Sequence, residues 1–192
     1  MPRAWPSTAA TAGAIVAPAL AVTALPGAVT DALIYQREAI LDGELWRTLT
    51  AHWVHLDTTH LLINMAGLAA VVLVLGRFLS PVRLLLATAL GGIAVSLGLF
   101  LLAPQLDWYV GLSGVVSGIW AAAALHGSLR RDWLGFAAIA LLAAKLAWEQ
   151  VQGAPVSLTE EMSDAVIVDA HLYGMLGGLL AVPLARLWRT AD

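Results

Sequence analysis

GLSGVVSGIWAAAALHGSL, residues 111–129, is the stretch on which the fold turns. Its central part, 112–128, carries no Asp, Glu, Lys or Arg. That run is long enough to cross a bilayer as a helix, which takes roughly 17–25 mostly apolar residues. It is interrupted only by small and weakly polar residues, among them Ser113 and Ser117. The flanking sequence repeats the pattern. Runs of similar size lie at 82–103 and 134–151, then at 60–79 and 167–188, with a further one at 11–30. The first contains Pro18 and Pro26, which membrane helices tolerate. The expectation is an all-α polytopic membrane protein, with six transmembrane helices in a single domain over 1–192.

Composition agrees. Of 192 residues, 60% are hydrophobic and 12% charged, and mean hydropathy is +0.82. Soluble domains carry about 25% charged residues, and disorder needs few hydrophobes and much charge. Both classes are excluded. With no cysteine, disulfides, thiolate metal sites and cysteine nucleophiles are excluded too. A net charge of -3 without a long basic run gives no support for nucleic-acid binding.

Between the spans, residues 31–59 are mixed and amphipathic and read as short helices at the membrane interface. Residues 152–166 read as an exposed loop. Under six spans, Arg3, Arg77, Arg83, Arg130, Arg131, Arg186 and Arg189 share one side, and only Arg37 and Arg47 fall on the other. This bias puts both termini and the short loops in the cytoplasm. The expected location is the bacterial inner (cell) membrane. A cleaved signal peptide at the start is disfavoured by its lone Arg3 and long apolar run.

Polar groups inside spans are costly and need a reason. His60 and Asn64 open the second span, four apart and so on one helix face. Ser113 and Ser117 open the fourth with the same spacing, and His171 lies in the first turns of the sixth. All five fall toward the outer half. Gly114-x-x-x-Gly118 and Gly174-x-x-x-Gly178 are small-residue faces that permit close helix contact. Packing spans four and six on these faces could bring serine and imidazole together, the basic requirement for an activated serine. The bland alternative is glycine-mediated packing with Ser and His as interhelical glue.

Trp46-Arg47, His60-x-x-x-Asn64, GLSG at 111–114 and AHLYG at 170–174, in this order, resemble the rhomboid intramembrane serine proteases over roughly residues 44–188. KLAWEQ at 145–150 and VDAHLYG at 168–174 look more like the rhombosortase branch. The resemblance implies a rhomboid-like bundle with Ser113 as nucleophile and His171 as general base. It implies an oxyanion hole of His60, Asn64 and the Ser113 backbone N–H, with Gly111, Gly114, Gly174 and Gly178 in support. No metal or other cofactor is implied. Implied partners are the lipid bilayer and membrane-anchored protein substrates, in the rhombosortase branch with C-terminal Gly-Gly, hydrophobic and basic tails. Cleavage would fall near the outer face of the substrate's span, with the site facing the periplasm. The alternatives are a general rhomboid protease without Gly-Gly preference and a non-catalytic rhomboid-like binding protein. A small transporter is disfavoured because the polar groups cluster in one half.

One departure from the family stands out. Many rhomboids carry tyrosine four residues after the serine, against the base histidine, and here that position is Ser117. Support for His171 is then expected from Tyr173 or from tighter helix packing. Asp169, two residues before His171, points to another face and is not assigned to a triad. His52, His55 and His60 lack metal-site spacing. Lys145 and Glu149, four apart in span five, read either as part of a substrate gate with Trp148 or as an interfacial ion pair.

Overall fold

A computed structural model describes residues 5–153 and 167–189. The chain is mostly helical. Helix α1 is Trp5–Val22, followed by α2 (Gly27–Asp31), strand β1 (Tyr35–Gln36), α3 (Arg37–Leu41) and α4 (Arg47–Thr50). The long helices are α5 (Thr58–Leu75), α6 (Pro81–Leu102), α7 (Ser113–Leu129), α8 (Trp133–Gln152) and α9 (Val168–Arg189), with strand β2 (Trp108–Tyr109) before α7. The expected loop at 152–166 lies outside the described residues except for Gln152 and Gly153, which close α8.

Local chemistry sets the helix starts. Asp57 accepts the His60 N–H at 2.7 Å to begin α5, and Asp132 accepts the Leu134 N–H at 3.0 Å to begin α8. Ser80 caps α6, with Pro81 in its first turn, where a missing N–H costs nothing. Helix α7 differs: Leu112 at its N-cap provides no side-chain hydrogen bond.

Among the described residues, four stretches are long and apolar enough to cross a membrane: Thr58–Phe78, Pro81–Leu102, Trp133–Gln152 and Val168–Ala185. Helix α1 is a shorter apolar helix over Pro6–Val22, and α7 has 17 residues. The expectation of six spans is therefore met by length for four. The first run is also displaced, because 11–30 is not one helix. Residues 23–26 form a turn and Pro26 precedes α2 instead of lying within a span. Helix α1 stops at Val22, four residues before Pro26, whose missing N–H cannot bond the Val22 carbonyl, whereas Pro18 lies inside α1.

Helix α7 occupies the centre. Its Ala121, Ala122, Ala123 and Ala124 are all buried, and α5, α6, α8 and α9 pack around it. Glycine allows the tightest contacts. A Cβ on Gly174 would collide with the Gly114 carbonyl, and one on Gly178 with the Gly118 carbonyl. On the other flank, Gly135 of α8 sits against Gly127, and Trp120 Nε1 donates to the Ala138 carbonyl at 3.0 Å. Outward faces expose Leu73, Leu85, Leu101 and Leu180. In water so many exposed leucines would be a liability, whereas in lipid they are the solvent-matched surface.

The segment before α5 is tied by Arg47, which is buried. Its guanidinium pairs with Glu44 at 2.5 Å and donates to the carbonyls of Asp31 and Ile34 at 2.7 and 3.0 Å. Neighbouring Trp46 donates its indole N–H to the Ala32 carbonyl at 3.0 Å. The short helices expected over 31–59 are present. The two-residue antiparallel ladder between Tyr35–Gln36 and Trp108–Tyr109 is an addition that the helical reading did not foresee. It joins this segment to the turn that leads into α7.

Candidate active site

The turn before α7 is built around Gly111. Its φ of +121° belongs to a region that side-chain-bearing residues rarely adopt. Its N–H donates to the Ala51 carbonyl at 3.1 Å, and its carbonyl accepts the Tyr109 hydroxyl at 2.9 Å. The imidazole of His60 occupies the place where a Cβ on Gly111 would project. The turn thus delivers Ser113 to the first position of α7 with the His60 ring alongside.

Ser113, Ser117, His60, Asn64, Lys145, Glu149 and His171 line one cavity of about 440 Å³. They come from four helices, α5, α7, α8 and α9. His60 and Asn64 present one face of α5. The Leu56 N–H approaches His60 Nδ1 at 3.4 Å, which leaves Nε2 to carry the ring proton. Asn64 Nδ2 donates to the His60 carbonyl at 3.0 Å and has a second N–H to offer. Ser117 Oγ donates back to the Ser113 carbonyl at 3.1 Å, so it serves the helix and does not support the imidazole.

His171 is buried, and its Nδ1 stands 2.9 Å from Glu149 Oε2. Glu149 is 1% exposed, with Lys145 Nζ 2.7 and 2.8 Å from its two oxygens. Lys145 Nζ is also 3.3 Å from His171 Nδ1. Both are donors when Nδ1 is protonated, so the carboxylate is the acceptor they share. Tyr173 does not support His171. Its ring covers Gly98 of α6, where it fills the space a Cβ would need. Support comes instead from Glu149, a residue whose pairing with Lys145 could be read from the sequence but whose contact with His171 could not. The available signal was that two ionisable residues in one span each need a partner. Asp169 accepts a hydrogen bond from Gln150 Nε2 at 3.2 Å at an exposed position, apart from this cluster. Trp148 is 57% exposed on the outer surface of α8 and does not line the cavity.

Two more histidines brace the region. His52 is buried, with Nε2 3.0 Å from the Gly92 carbonyl and its ring edge-on to Tyr109. Burial pushes its imidazole down to about 4, so it is neutral. His55 packs edge-on against His60, with ring centroids 5.1 Å apart. Burial, reinforced by the neighbouring His60, lowers it also to about 4. Burial likewise raises the Tyr109 phenol, which stays protonated and able to donate to Gly111.

Away from Ser113 the cavity becomes apolar. Gly67, Ala70 and Val74 of α5 face Leu134, Ala137 and Leu141 of α8 across it. It forms a greasy trough that leads down between two helices from a polar head.

The rhomboid domain profile matches residues 42–187. The chain belongs to the rhomboid family. The match takes in every residue of the cavity and leaves α1 outside. A protein of Bacillus subtilis (strain 168), named "Putative rhomboid protease YdcA", is 29% identical over 141 residues, 73% of this chain and 67% of that protein. Membership of the rhomboid family and the apolar helices make this a multi-pass membrane protein.

Proposed function

We propose that this rhomboid is an intramembrane serine protease, with Ser113 as nucleophile and His171 as general base. The observation that carries the reading is the single cavity into which α5, α7 and α9 bring His60, Asn64, Ser113 and His171. Ser113 Oγ attacks the scissile carbonyl while its proton passes to His171 Nε2. The carbonyl oxygen becomes an oxyanion, stabilised by His60, Asn64 and the Ser113 N–H. Collapse expels the amine, which takes the proton from His171. Water, deprotonated by His171, then releases the acyl group. None of these steps requires a metal or nucleotide. The start of α7, which no N-cap side chain closes, favours such a site, because the positive end of the helix dipole stabilises an anion there.

Depth follows from helix length. The 17 residues of α7 rise about 25 Å, less than the roughly 30 Å hydrocarbon core. With Arg130 and Arg131 held at one membrane surface by their charge, Ser113 lies a few ångströms beneath the other. A substrate span would lie along the trough between α5 and α8 and present its unwound end to Ser113. Lys145 and Glu149 stand at the head of that trough, and Trp148 on its lipid side.

The six-span reading counts α1 and α7 as the two shorter spans. The arginines then put the termini in the cytoplasm and the site on the outer face of the bacterial inner membrane, toward the periplasm. The rhombosortase-like motifs at 145–150 and 168–174 point to substrates with a C-terminal Gly-Gly, hydrophobic and basic tail. Glycine is a poor helix former, by about 1 kcal/mol relative to alanine, so such a pair would expose its carbonyls at the membrane boundary.

The test is a secreted reporter fused to such a tail, co-expressed with wild type or Ser113→Ala, together with fluorophosphonate labelling of both purified proteins. Release and labelling in the wild type, and neither in Ser113→Ala, is expected. Release by Ser113→Ala refutes the mechanism. Replacing the glycine pair with leucines should reduce release, and equal release returns the assignment to a general rhomboid protease.

A further inference from the structure

The strongest unused feature is the buried carboxylate of Glu149. A carboxylate in an apolar interior is costly unless it is paired and hydrogen-bonded. Here it is held from two directions: by Lys145, one turn back on α8, and by His171 on α9. The Lys145 pair alone could be satisfied nearer the membrane surface, because a lysine side chain can reach outward. Lys145 instead keeps its ammonium against a carboxylate that is 1% exposed. The geometry at the ring is equally specific. Nδ1 faces Oε2 at 2.9 Å, so the neutral imidazole carries its proton on Nδ1, and the lone pair lies on Nε2, the nitrogen left for the cavity that Ser113 lines.

We propose that Glu149 is a positioning residue for the serine chemistry: its carboxylate fixes the tautomer and orientation of His171 so that Nε2 can take the Ser113 proton, and Lys145 supplies the countercharge that lets the carboxylate stay there. This rests on the protease reading above and adds a third member to a two-residue site. It also explains how His171 is held when Ser117 stands in place of the family's tyrosine. The physical logic is that of any carboxylate–imidazole pair: the acid selects the tautomer and stabilises the imidazolium formed during attack.

Two other roles are available to Glu149, and they read out differently. A substrate-gate role changes KM for a protein substrate and spares the reaction of Ser113 with a small probe. A purely structural role between α8 and α9 lowers melting temperature and activity together, and the loss tracks the folded fraction. The experiment measures the fluorophosphonate labelling rate, the kcat and KM for the tailed reporter, and the melting temperature, for wild type, Glu149→Gln, Glu149→Asp and Ser113→Ala in micelles. In Glu149→Gln, labelling rate and kcat should fall together by roughly 100-fold to 10,000-fold, with KM within roughly threefold of wild type. Glu149→Asp should recover part of both. Wild-type labelling by folded Glu149→Gln, while Ser113→Ala is silent, overturns this proposal and leaves the protease reading standing. Undiminished labelling or cleavage by Ser113→Ala overturns the reading itself. If Glu149→Gln does not fold, ¹⁵N-histidine NMR of the wild type decides: a neutral His171 protonated on Nδ1 is expected, and one protonated on Nε2 overturns the proposal.

Discussion

Gly111→Ala tests the link between a backbone conformation and catalysis. At φ +121° a non-glycine residue is strained, at about 1–3 kcal/mol. The new Cβ would also stand 2.8 Å from His60 Cε1 and 2.9 Å from Nε2. Ordinary carbon contacts lie at about 3.5–4.0 Å, so one side must yield by roughly 0.7 Å. The main chain of Gly111 is pinned by hydrogen bonds to Ala51 and Tyr109. The His60 ring is held by a 3.4 Å approach from the Leu56 N–H and an edge-on contact with His55, both weaker than those two hydrogen bonds. The ring should therefore move. An oxyanion donor works at about 2.7–3.1 Å, and losing one costs about 2.7–4 kcal/mol of transition-state stabilisation, or roughly 100-fold to 1,000-fold in kcat. Two assays follow: tryptophan-fluorescence melting in micelles and kcat for the tailed reporter. Both should fall, the second by more than the loss of folded protein accounts for. A lower melting temperature with unchanged kcat would remove His60 from the oxyanion hole, and no change in either would refute the account of the turn.

Asn64→Ala removes the other α5 donor and should lower kcat roughly 10-fold to 1,000-fold, with the remaining donors compensating in part; unchanged turnover in a reporter assay would reduce Asn64 to a packing role. His52 predicts a pH effect on stability. Its imidazole is at about 4 when folded against an ordinary 6.5. As pH drops from about 6.5 to 4 the unfolded chain takes up a proton that the native state refuses, and stability falls by roughly 3 kcal/mol across that window, with no effect above it. The gap between denaturation midpoints at pH 7.5 and 4.5 should narrow in His52→Gln, with His55 keeping its own share; a variant with the wild-type pH dependence would sink this assignment.

The sequence by itself determined the class of protein, because membrane insertion is a property of contiguous residues. Twenty apolar positions in a row are readable without knowing what they touch, and the starts of α5 to α9 fall within about two residues of the hydropathy limits. The arginine bias is likewise a one-dimensional signal. Ser113, His171, His60 and Asn64 were singled out because polar groups in apolar helices are conspicuous, and the tertiary structure lines one cavity with them. Local turn chemistry already limited the accuracy of the reading at 11–30, where Pro26 ends the helix that hydropathy alone would have continued. What only the tertiary structure decided lies in contacts between distant segments. Lys145 and Glu149 form an i, i+4 pair whether or not anything stands opposite, and the sequence could not say that α9 brings His171 Nδ1 to the same carboxylate. Tyr173, two residues from His171 in sequence, turns instead onto Gly98. The reason is geometric. Which residue meets the imidazole depends on how α8 and α9 lie around α7, and that is set by backbone contacts at Gly114, Gly174, Gly118, Gly178, Gly127 and Gly135. Glycine in a sequence announces that a close approach is allowed, and only the folded chain shows what approaches.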